Sequence, residues 1–495
     1  MLFYVLAAAV VVVGVIAFFV LKNKTYTSEN VPVVQGGIPF LGQVLVMLKG
    51  SPWDTMSKWV AEYGEVYKFI LFGSEAVCIA DPELLKVVLQ TKLNTFKKDR
   101  EWTYRPFLVL LGNGIVTSEG HQWLKQRTLL ATLLKKDILL EIPAMTIKAL
   151  SRLCQKLDKA RDEGKVIEMS EEFRHLTLQV VAEAILSLTP EESDETFATM
   201  YLPIVEEGNL RTWHPYREFL LTPSWFKFQA DVKKLDDYVA GLIVTRWQLR
   251  KEEAAAGKPT SRKIDVLDKI LSAISDEDWG IDAIKQTRDE IKTFMLAGHE
   301  TSASMLAWAF YELSLEHNKN NLDIVLQEAS SVFATCRDKS GRIVSAPNND
   351  VLMGLNLTEC CLRESLRKYS VVPTVVRKAA EDVQMTPDYF VSKGSTIMVN
   401  IQGVHHNPKY WPEPLVYKPD RFLKEPQPYT FLPFVEGPRM CLGQYLSILE
   451  SKIVLAVLLS TYRFEVINPE ECGEKHSFMI PIIPKKGHFM KVYNR

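Results

Sequence analysis

No pair of cysteines in this chain has the spacing of a zinc site or a disulfide framework. The seven stand at 78, 154, 336, 360, 361, 441 and 472, with no CxxC pair and no interleaved histidine ligands. Such usage fits a reducing compartment, where a thiol stays free. Excess charge of either sign is also missing. The formal net charge is -1 over 495 residues, which gives no support to nucleic-acid binding. There is no internal repeat, long low-complexity tract or Gly/Ser linker. With 47% hydrophobic residues the chain can bury a large core, and one large, mostly helical domain is expected despite the length.

One stretch carries no charge at all. Leu2 to Leu21 is twenty residues without a charged side chain, followed by Lys22 and Lys24. At helical rise that length crosses a hydrocarbon core. No small-residue cleavage site precedes the lysines, which argues against a secretory signal. The basic flank places the following body in the cytosol. The expected division is a membrane anchor with its flank over 1–24, a connector broken by Pro32, Gly36, Gly37 and Pro39 over 25–42, and the main body over 43–495.

Within the body, the segment from Trp53 to Tyr63 has a helical pattern. Val66–Phe72 and Ala76–Ala80 suit strands, and Pro82–Gln90 returns to helix. Residues 138–253 read as successive amphipathic helices broken around Pro190, Gly208, Pro215 and Pro223. A further helix begins near Ile284, and an apolar helix-compatible run spans Tyr445–Leu458.

Four groups of residues carry chemistry. Cys441 lies between Gly437 and Gly443, with Arg439 two residues before it and a helix after it. Orphan N–H groups and the helix dipole there favour a thiolate, and the glycines let backbone approach a bulky partner; the bland alternative is a buried, inert cysteine. Trp123 and Arg127 are four apart on one helical face, where an indole N–H and a guanidinium can converge on an anion or form a surface pair. In Ala297-Gly298-His299-Glu300-Thr301, two small residues leave room beside a helix, and an acid and a hydroxyl can relay protons. Glu364 and Arg367, three apart, form an ion pair on a helix. His405-His406 lacks compatible acidic ligand spacing and is read as structural rather than metal-binding.

The stretch Phe434-x-x-Gly437-x-Arg439-x-Cys441-x-Gly443 resembles the haem-binding signature of the cytochrome P450 monooxygenases at every fixed position. The resemblance covers roughly Pro32 to Arg495. It implies a cytochrome P450 fold, mainly α with a small antiparallel β component, preceded by one N-terminal transmembrane helix. It implies Cys441 as the axial thiolate of haem iron. Phe434 would pack on the ligand loop, and Trp123, Arg127, Arg377 and Arg439 would hold propionates. Glu300 and Thr301 resemble the oxygen-activation pair, with Ala297 and Gly298 beside the cofactor. Glu364, Arg367 and Arg421 resemble the family's structural lock, a mutual pairing that buried charges need. Trp102, Tyr104, Phe107, Leu108, Ala297 and Val376 would contact substrate, with ordinary aromatic packing the alternative for the first group.

The segment around His405, Asp420-Arg421-Phe422 and Gly443-Gln444 looks most like the lipid-hydroxylating membrane members. Ala297 stands where many of those carry a glutamate bonded covalently to haem, so noncovalent haem b is expected. The substrate class stays open among fatty acids, sterols and related lipids. Without a fused flavin domain, electrons would come from NADPH through a separate FAD/FMN reductase, NADPH–cytochrome P450 reductase, and some members also use cytochrome b5. The implied location is the endoplasmic reticulum membrane with the body facing the cytosol. Two alternatives remain: a lipid hydroperoxide rearrangement enzyme of the same fold, and a noncatalytic haem-binding membrane sensor or scaffold.

Overall fold

The structure is a computed structural model that describes residues 28–39, 41–133, 137–214, 216–257, 264–339, 341–476 and 478–495. The expected anchor over 1–24 lies outside these residues. In chain order, helix α1 (Pro52–Tyr63) opens where Ser51 caps it, its hydroxyl accepting from Asp54 N at 3.3 Å with Pro52 in the first turn. Strands β1 (Val66–Leu71) and β2 (Ser74–Ile79) occupy the two expected stretches. The stretch expected to be helical over 82–90 is helical throughout, in two forms. An α-helical turn at Pro82–Lys86, capped by Asp81, widens into a π-helical turn at Val87–Thr91.

After β3 (Phe96–Lys97) come α2 (Arg105–Leu111), α3 (Gly120–Leu133) and α4 (Asp137–Asp162). Strand β4 (Val166–Glu168) leads into α5 (Met169–Leu186), where the Glu168 carboxylate accepts from the N–H groups of Ser170 and Glu171. Helices α6 (Thr199–Trp213), α7 (Pro223–Ala255) and α8 (Ile281–Ser314) follow, then α9 (Lys319–Val332) and α10 (Asn356–Tyr369). Gly208 does not break a helix as expected but lies inside α6, and Pro215 is outside the described residues. One glycine costs only about 1 kcal/mol in a helix, which tertiary contacts override. Strands β5 (Thr374–Ala379), β6 (Val383–Gln384), β7 (Phe390–Val391) and β8 (Thr396–Asn400) precede α11 (Gln444–Thr461), β9 (Tyr462–Val466) and β10 (Phe489–Asn494).

The chain divides into two compact units interleaved in sequence. The first comprises residues up to Asp99, Pro373–Leu415 and Pro426–Met440. Its centre is a five-stranded sheet of order β1-β2-β8-β5-β3. The pairing is antiparallel except between β2 and β8, which run parallel with Ala76 opposite Thr396. Tyr67 and Phe69 are fully buried beneath Trp59 of α1, and the Tyr67 hydroxyl donates to Met56 O at 2.7 Å.

The second unit comprises Arg100–Val372, Val416–Glu425 and Cys441–Arg495. Its helices enclose α8, and a three-stranded antiparallel sheet of order β4-β10-β9 lies within the same unit. Trp308 of α8 is fully buried, stacked on Tyr369 at 4.0 Å, with its indole N–H donating to Ile482 O at 2.8 Å. The buried Glu312 carboxylate accepts from Lys368 Nζ at 2.7 Å, from Asn318 Nδ2 at 2.8 Å and from the Tyr369 hydroxyl. Among the described residues, α11 is the helix long and apolar enough to cross a membrane. Most of it is buried inside the unit, which marks a core helix.

Glu364 and Arg367 of α10 are both fully buried and form a bidentate pair, Nε–Oε2 and Nη2–Oε1 each at 2.8 Å. Lys418 N donates to Glu364 Oε1 at 2.8 Å, and Arg421 Nε lies 3.4 Å from the same oxygen. A charge without water needs these partners, since desolvation costs several kcal/mol per ion. Glu364→Ala is therefore expected to lower the unfolding free energy by about 3–5 kcal/mol, and the partly accessible Arg421→Ala by clearly less. Chemical denaturation of the two variants measures the difference; equal losses would contradict this ordering.

Candidate functional site

Cys441 begins the last stretch of the second unit, three residues before α11. It is exposed, yet enough protein surrounds it that burial pushes its thiol pKa up. Three influences oppose that: the N–H groups of Gly443 and Gln444, which hydrogen-bond the sulfur, and the Arg127 guanidinium. The glycine at 443 keeps the approach open, since an added Cβ would lie 3.9 Å from the sulfur itself. Its φ of -85° suits any residue, so space and not backbone strain is what glycine provides here. The local donors alone do not make the thiol acidic; a metal cation bound to sulfur would, because coordination deprotonates a thiol outright.

Trp123 and Arg127 both turn inward on α3, Trp123 buried and Arg127 half-buried. Burial lowers the Arg127 pKa and the nearby Cys441 sulfur raises it, which ties these two residues electrostatically. On α8, Ala297 is exposed and Thr301 half-buried, one turn apart on an open face. The Thr301 hydroxyl donates to Ala297 O at 2.5 Å, which leaves its oxygen free to act as an acceptor.

Gly298 and Glu300 face elsewhere. An added Cβ at Gly298 would come within 2.7 Å of Val181 Cγ2, so the small residue serves close contact with α5 rather than room for a cofactor. Glu300 is buried and paired with Arg174 of α5 at 2.7 Å, and Arg174 also holds Glu171 at 2.9 Å. These two carboxylates raise the Arg174 pKa against a large burial penalty. Arg174 and its partners were not legible in the sequence, because no spacing between 174 and 300 announces that α5 and α8 meet there.

The first unit carries the remainder of the signature. Gly437 has φ of +86°, and an added Cβ would collide with Leu89 O at 2.5 Å, so both conformation and space demand glycine. His405, fully buried, accepts from Leu432 N at 2.8 Å, which gives that histidine a structural role in holding the Phe431–Arg439 segment. Phe434 and Arg439 are half-buried in this segment. On β5, Val376 and Arg377 are both buried; Arg377 Nη1 donates to Val376 O at 2.9 Å while its Nε has no hydrogen-bond partner among the described residues. Of the expected substrate contacts in the second unit, Trp102 is exposed, while Tyr104, Phe107 and Leu108 are half-buried at or on α2. Glu450, nine residues after Cys441, was missed altogether. It is buried on α11, and burial raises its carboxyl pKa well above the usual range.

The cytochrome P450 family model matches residues 32–490. The chain belongs to the cytochrome P450 family. It is similar to cytochrome P450 4c21 of Blattella germanica, 29% identical over 88% of this chain and 87% of the relative. Cytochrome P450 4A2 of Rattus norvegicus is 28% identical over 85% and 82%, respectively. The cytokinin hydroxylase of Arabidopsis thaliana is 27% identical over 87% and 81%. This P450 is thus a monooxygenase enzyme.

In this P450, His299 is fully buried beside Glu300, and burial holds its imidazole down to about 4, with Glu300 pulling up and Arg174 and His175 pushing down. An unfolded histidine titrates near 6.5. The lowered value contributes stability that is present above 6.5 and is lost as pH falls through the window from 6.5 to about 4. His299→Gln should remove a few kcal/mol of that pH dependence. Urea denaturation across this range would show the wild-type advantage shrinking toward acid; a parallel offset at every pH would contradict it.

Proposed function

We propose that this chain is a haem-thiolate monooxygenase that inserts one oxygen atom of O2 into a C–H bond of a fatty acid, sterol or related lipid. The observation that carries this reading is Cys441: an accessible thiol with two backbone N–H groups on its sulfur and Arg127 as its electrostatic partner. Haem b fits these residues. The sulfur of Cys441 at a helix start would hold the haem iron, and buried Arg377, with an unsatisfied Nε, would suit a carboxylate of the cofactor. Arg127, Arg439 and the Trp123 indole would hold the same kind of group. Phe434, Gly437 and Gly443 would shape the ligand loop. Ala297 cannot supply a carboxylate for covalent attachment, which supports noncovalent haem.

When bound, the haem supplies the redox chemistry that no side chain can perform. The chain contributes position and protons. Cys441 would hold the iron as its thiolate. Thr301, anchored through its own O–H to Ala297 O, presents its oxygen to accept a hydrogen bond and pass a proton at the open face of α8. Glu300 can deliver protons only after its carboxylate leaves Arg174 or exchanges through water, since the ion pair occupies it.

Electrons come, in this reading, from NADPH through NADPH–cytochrome P450 reductase with its FAD and FMN, with cytochrome b5 as a second donor in some members. The anchor over 1–24 would hold the enzyme in the endoplasmic reticulum membrane with the body facing the cytosol. The reduced, CO-bound holoenzyme should show the red-shifted band of thiolate-ligated haem, and Cys441→Ala should abolish it while circular dichroism stays native. An unchanged band would sink the ligand assignment. NADPH and O2 consumption coupled to lipid hydroxylation is expected with reductase; turnover of a lipid hydroperoxide without NADPH would favour a rearrangement enzyme instead.

A further inference from the structure

The loop between α2 and α3, residues 112–118, rests directly on the N-terminal half of α8, and both lie in the second unit. An added Cβ at Gly112 would lie 2.0 Å from Asp289 Oδ2, and one at Gly114 would lie 2.0 Å from Thr293 Oγ1. Gly112 also has φ of +53°, so conformation and space both require glycine there. Backbone this close is within reach of two neighbouring carboxyl groups of α8. Asp289 Oδ2 accepts from Asn113 N and Glu290 Oε2 from Ile115 N, each at 3.0 Å. Glu290 Oε1 accepts from Gln286 Nε2 at 3.0 Å, and that amide also donates to Asn113 O at 3.3 Å.

Helix α3 grips the same loop. Gln126 Nε2 donates to Asn113 O at 2.9 Å, and Gln126 Oε1 accepts from the Ser118 hydroxyl at 2.5 Å. One turn earlier, Gln122 Nε2 donates to Gln286 Oε1 at 2.8 Å, which ties α3 to α8 directly. Gln122 and Gln126 form one stripe of α3. Trp123 and Arg127, each one residue later, form the next, about 100° further round the helix. Holding the glutamine stripe against the loop therefore sets the rotation at which Trp123 and Arg127 turn inward. Arg127 and Cys441 act on each other electrostatically, so that rotation reaches the sulfur.

The two carboxyl groups differ in their surroundings. Asp289 is met by Arg288 at 3.1 Å and Lys292 at 3.8 Å, cations that also hold Asp236 of α7. With Arg100, Lys285, Leu108 and Val109, these two cations line a cavity of about 280 Å³ beside the loop. Glu290 is buried, and its hydrogen-bond donors, Ile115 N and Gln286, are both uncharged. Burial, helped by Asp289, pushes its carboxyl up to about 7. An uncharged acceptor of the same shape can therefore take its place. We infer that Glu290 is a positioning residue for the sulfur site: it fixes the 112–118 loop through Ile115 N and Gln286, and through that loop the rotation of α3 that places Arg127 in the field of Cys441. The inference rests on the haem-thiolate reading above and deepens it. Residues that orient the surroundings of a ligand tune its metal without touching it.

The test uses the haem-loaded full chain in lipid nanodiscs and reads amide hydrogen exchange and the haem reduction potential. In Glu290→Ala, exchange over 112–118 should quicken about tenfold, the loss of one buried hydrogen bond, and exchange over 122–127 should quicken with it. The potential should fall, because Arg127 favours the extra electron of the reduced state and is held less firmly. Removal of negative charge at 290 would by itself raise the potential, so the direction separates the two effects. Glu290→Gln keeps an acceptor and should leave exchange and potential at their wild-type values. Arg127→Gln should lower the potential alone, and adding Glu290→Ala should lower it no further. Half-exposed Gln286→Ala, which removes the contacts to Glu290, Asn113 and Gln122, should give a smaller change of the same sign, and it decides the matter if Glu290→Ala fails to fold. Faster exchange over 112–118 with 122–127 and the potential unmoved overturns the positioning role. So does an additive fall with Arg127→Gln, or a Gln variant as altered as the Ala variant. Faster exchange over 122–127 in Glu290→Ala, in a protein whose reduced CO form lacks the thiolate band, keeps the positioning of α3 and overturns the haem-thiolate reading instead.

Discussion

Helix α8 meets α5 so closely at Gly298 that no side chain larger than hydrogen fits against Val181, and much of the second unit follows from that contact. Two polar ties converge on the neighbouring residues. Thr177 Oγ1 donates to His299 O at 3.1 Å, Arg174 grips Glu300, and His299 is sealed between them. A helix fixed this firmly on one side has one rotation available. That rotation turns Ala297 and Thr301 to the open side and buries the two residues that a reader of the motif would have grouped with them. The small residues at 297 and 298 thus do different work: one leaves space for chemistry, the other permits the approach that aims it.

The same constraint explains what was and was not legible beforehand. Strands β1 and β2 and helices α1 and α11 were visible because their apolar pattern, caps and turn residues act locally. Glu364 and Arg367 could be paired from spacing, and the resemblance supplied Arg421. Arg174 could not be found this way, because its partner lies on another helix and only the fold joins them. Gly208 was misread for the converse reason: a local breaker signal was overridden by a helix that its neighbours support. The glycines of the signature were visible as a pair but not as distinct. Only coordinates separate Gly437, which backbone conformation and Leu89 O both demand, from Gly443, which merely keeps the sulfur approachable.

Buried charge in this protein is resolved in two ways. Glu364, Glu312 and Glu300 are met by cationic partners, with further N–H or O–H donors on the first two, which is the arrangement that offsets desolvation. Glu450 and Glu290 go the other way. Burial raises both carboxyls, Glu290 to about 7, and the protonated form needs no cation. Cys441 belongs to neither class by itself. Its N–H donors and Arg127 are too few to overcome burial, which leaves a sulfur that gains most from a positive metal. The environment therefore makes the ligand conditional on its cofactor.

Net charge conceals this local economy. A value of -1 gives no support to nucleic-acid binding, yet it says nothing about where the 59 basic residues gather. Lys285, Arg288 and Lys292 follow the i, i+3, i+7 spacing of one helical face, which in isolation is an ordinary solvated stripe. Two features of the tertiary structure change its meaning. Asp236 arrives from α7 to neutralise the buried Lys292, and Arg100 adds a cation from nearly two hundred residues upstream. Leu108 and Val109 then close the opposite wall with hydrocarbon. Charge that would be screened within about 10 Å in water at moderate salt is held here beside an apolar surface. Such a cluster comes from which residues the fold assembles around one cavity, and no count of charges along the chain contains it.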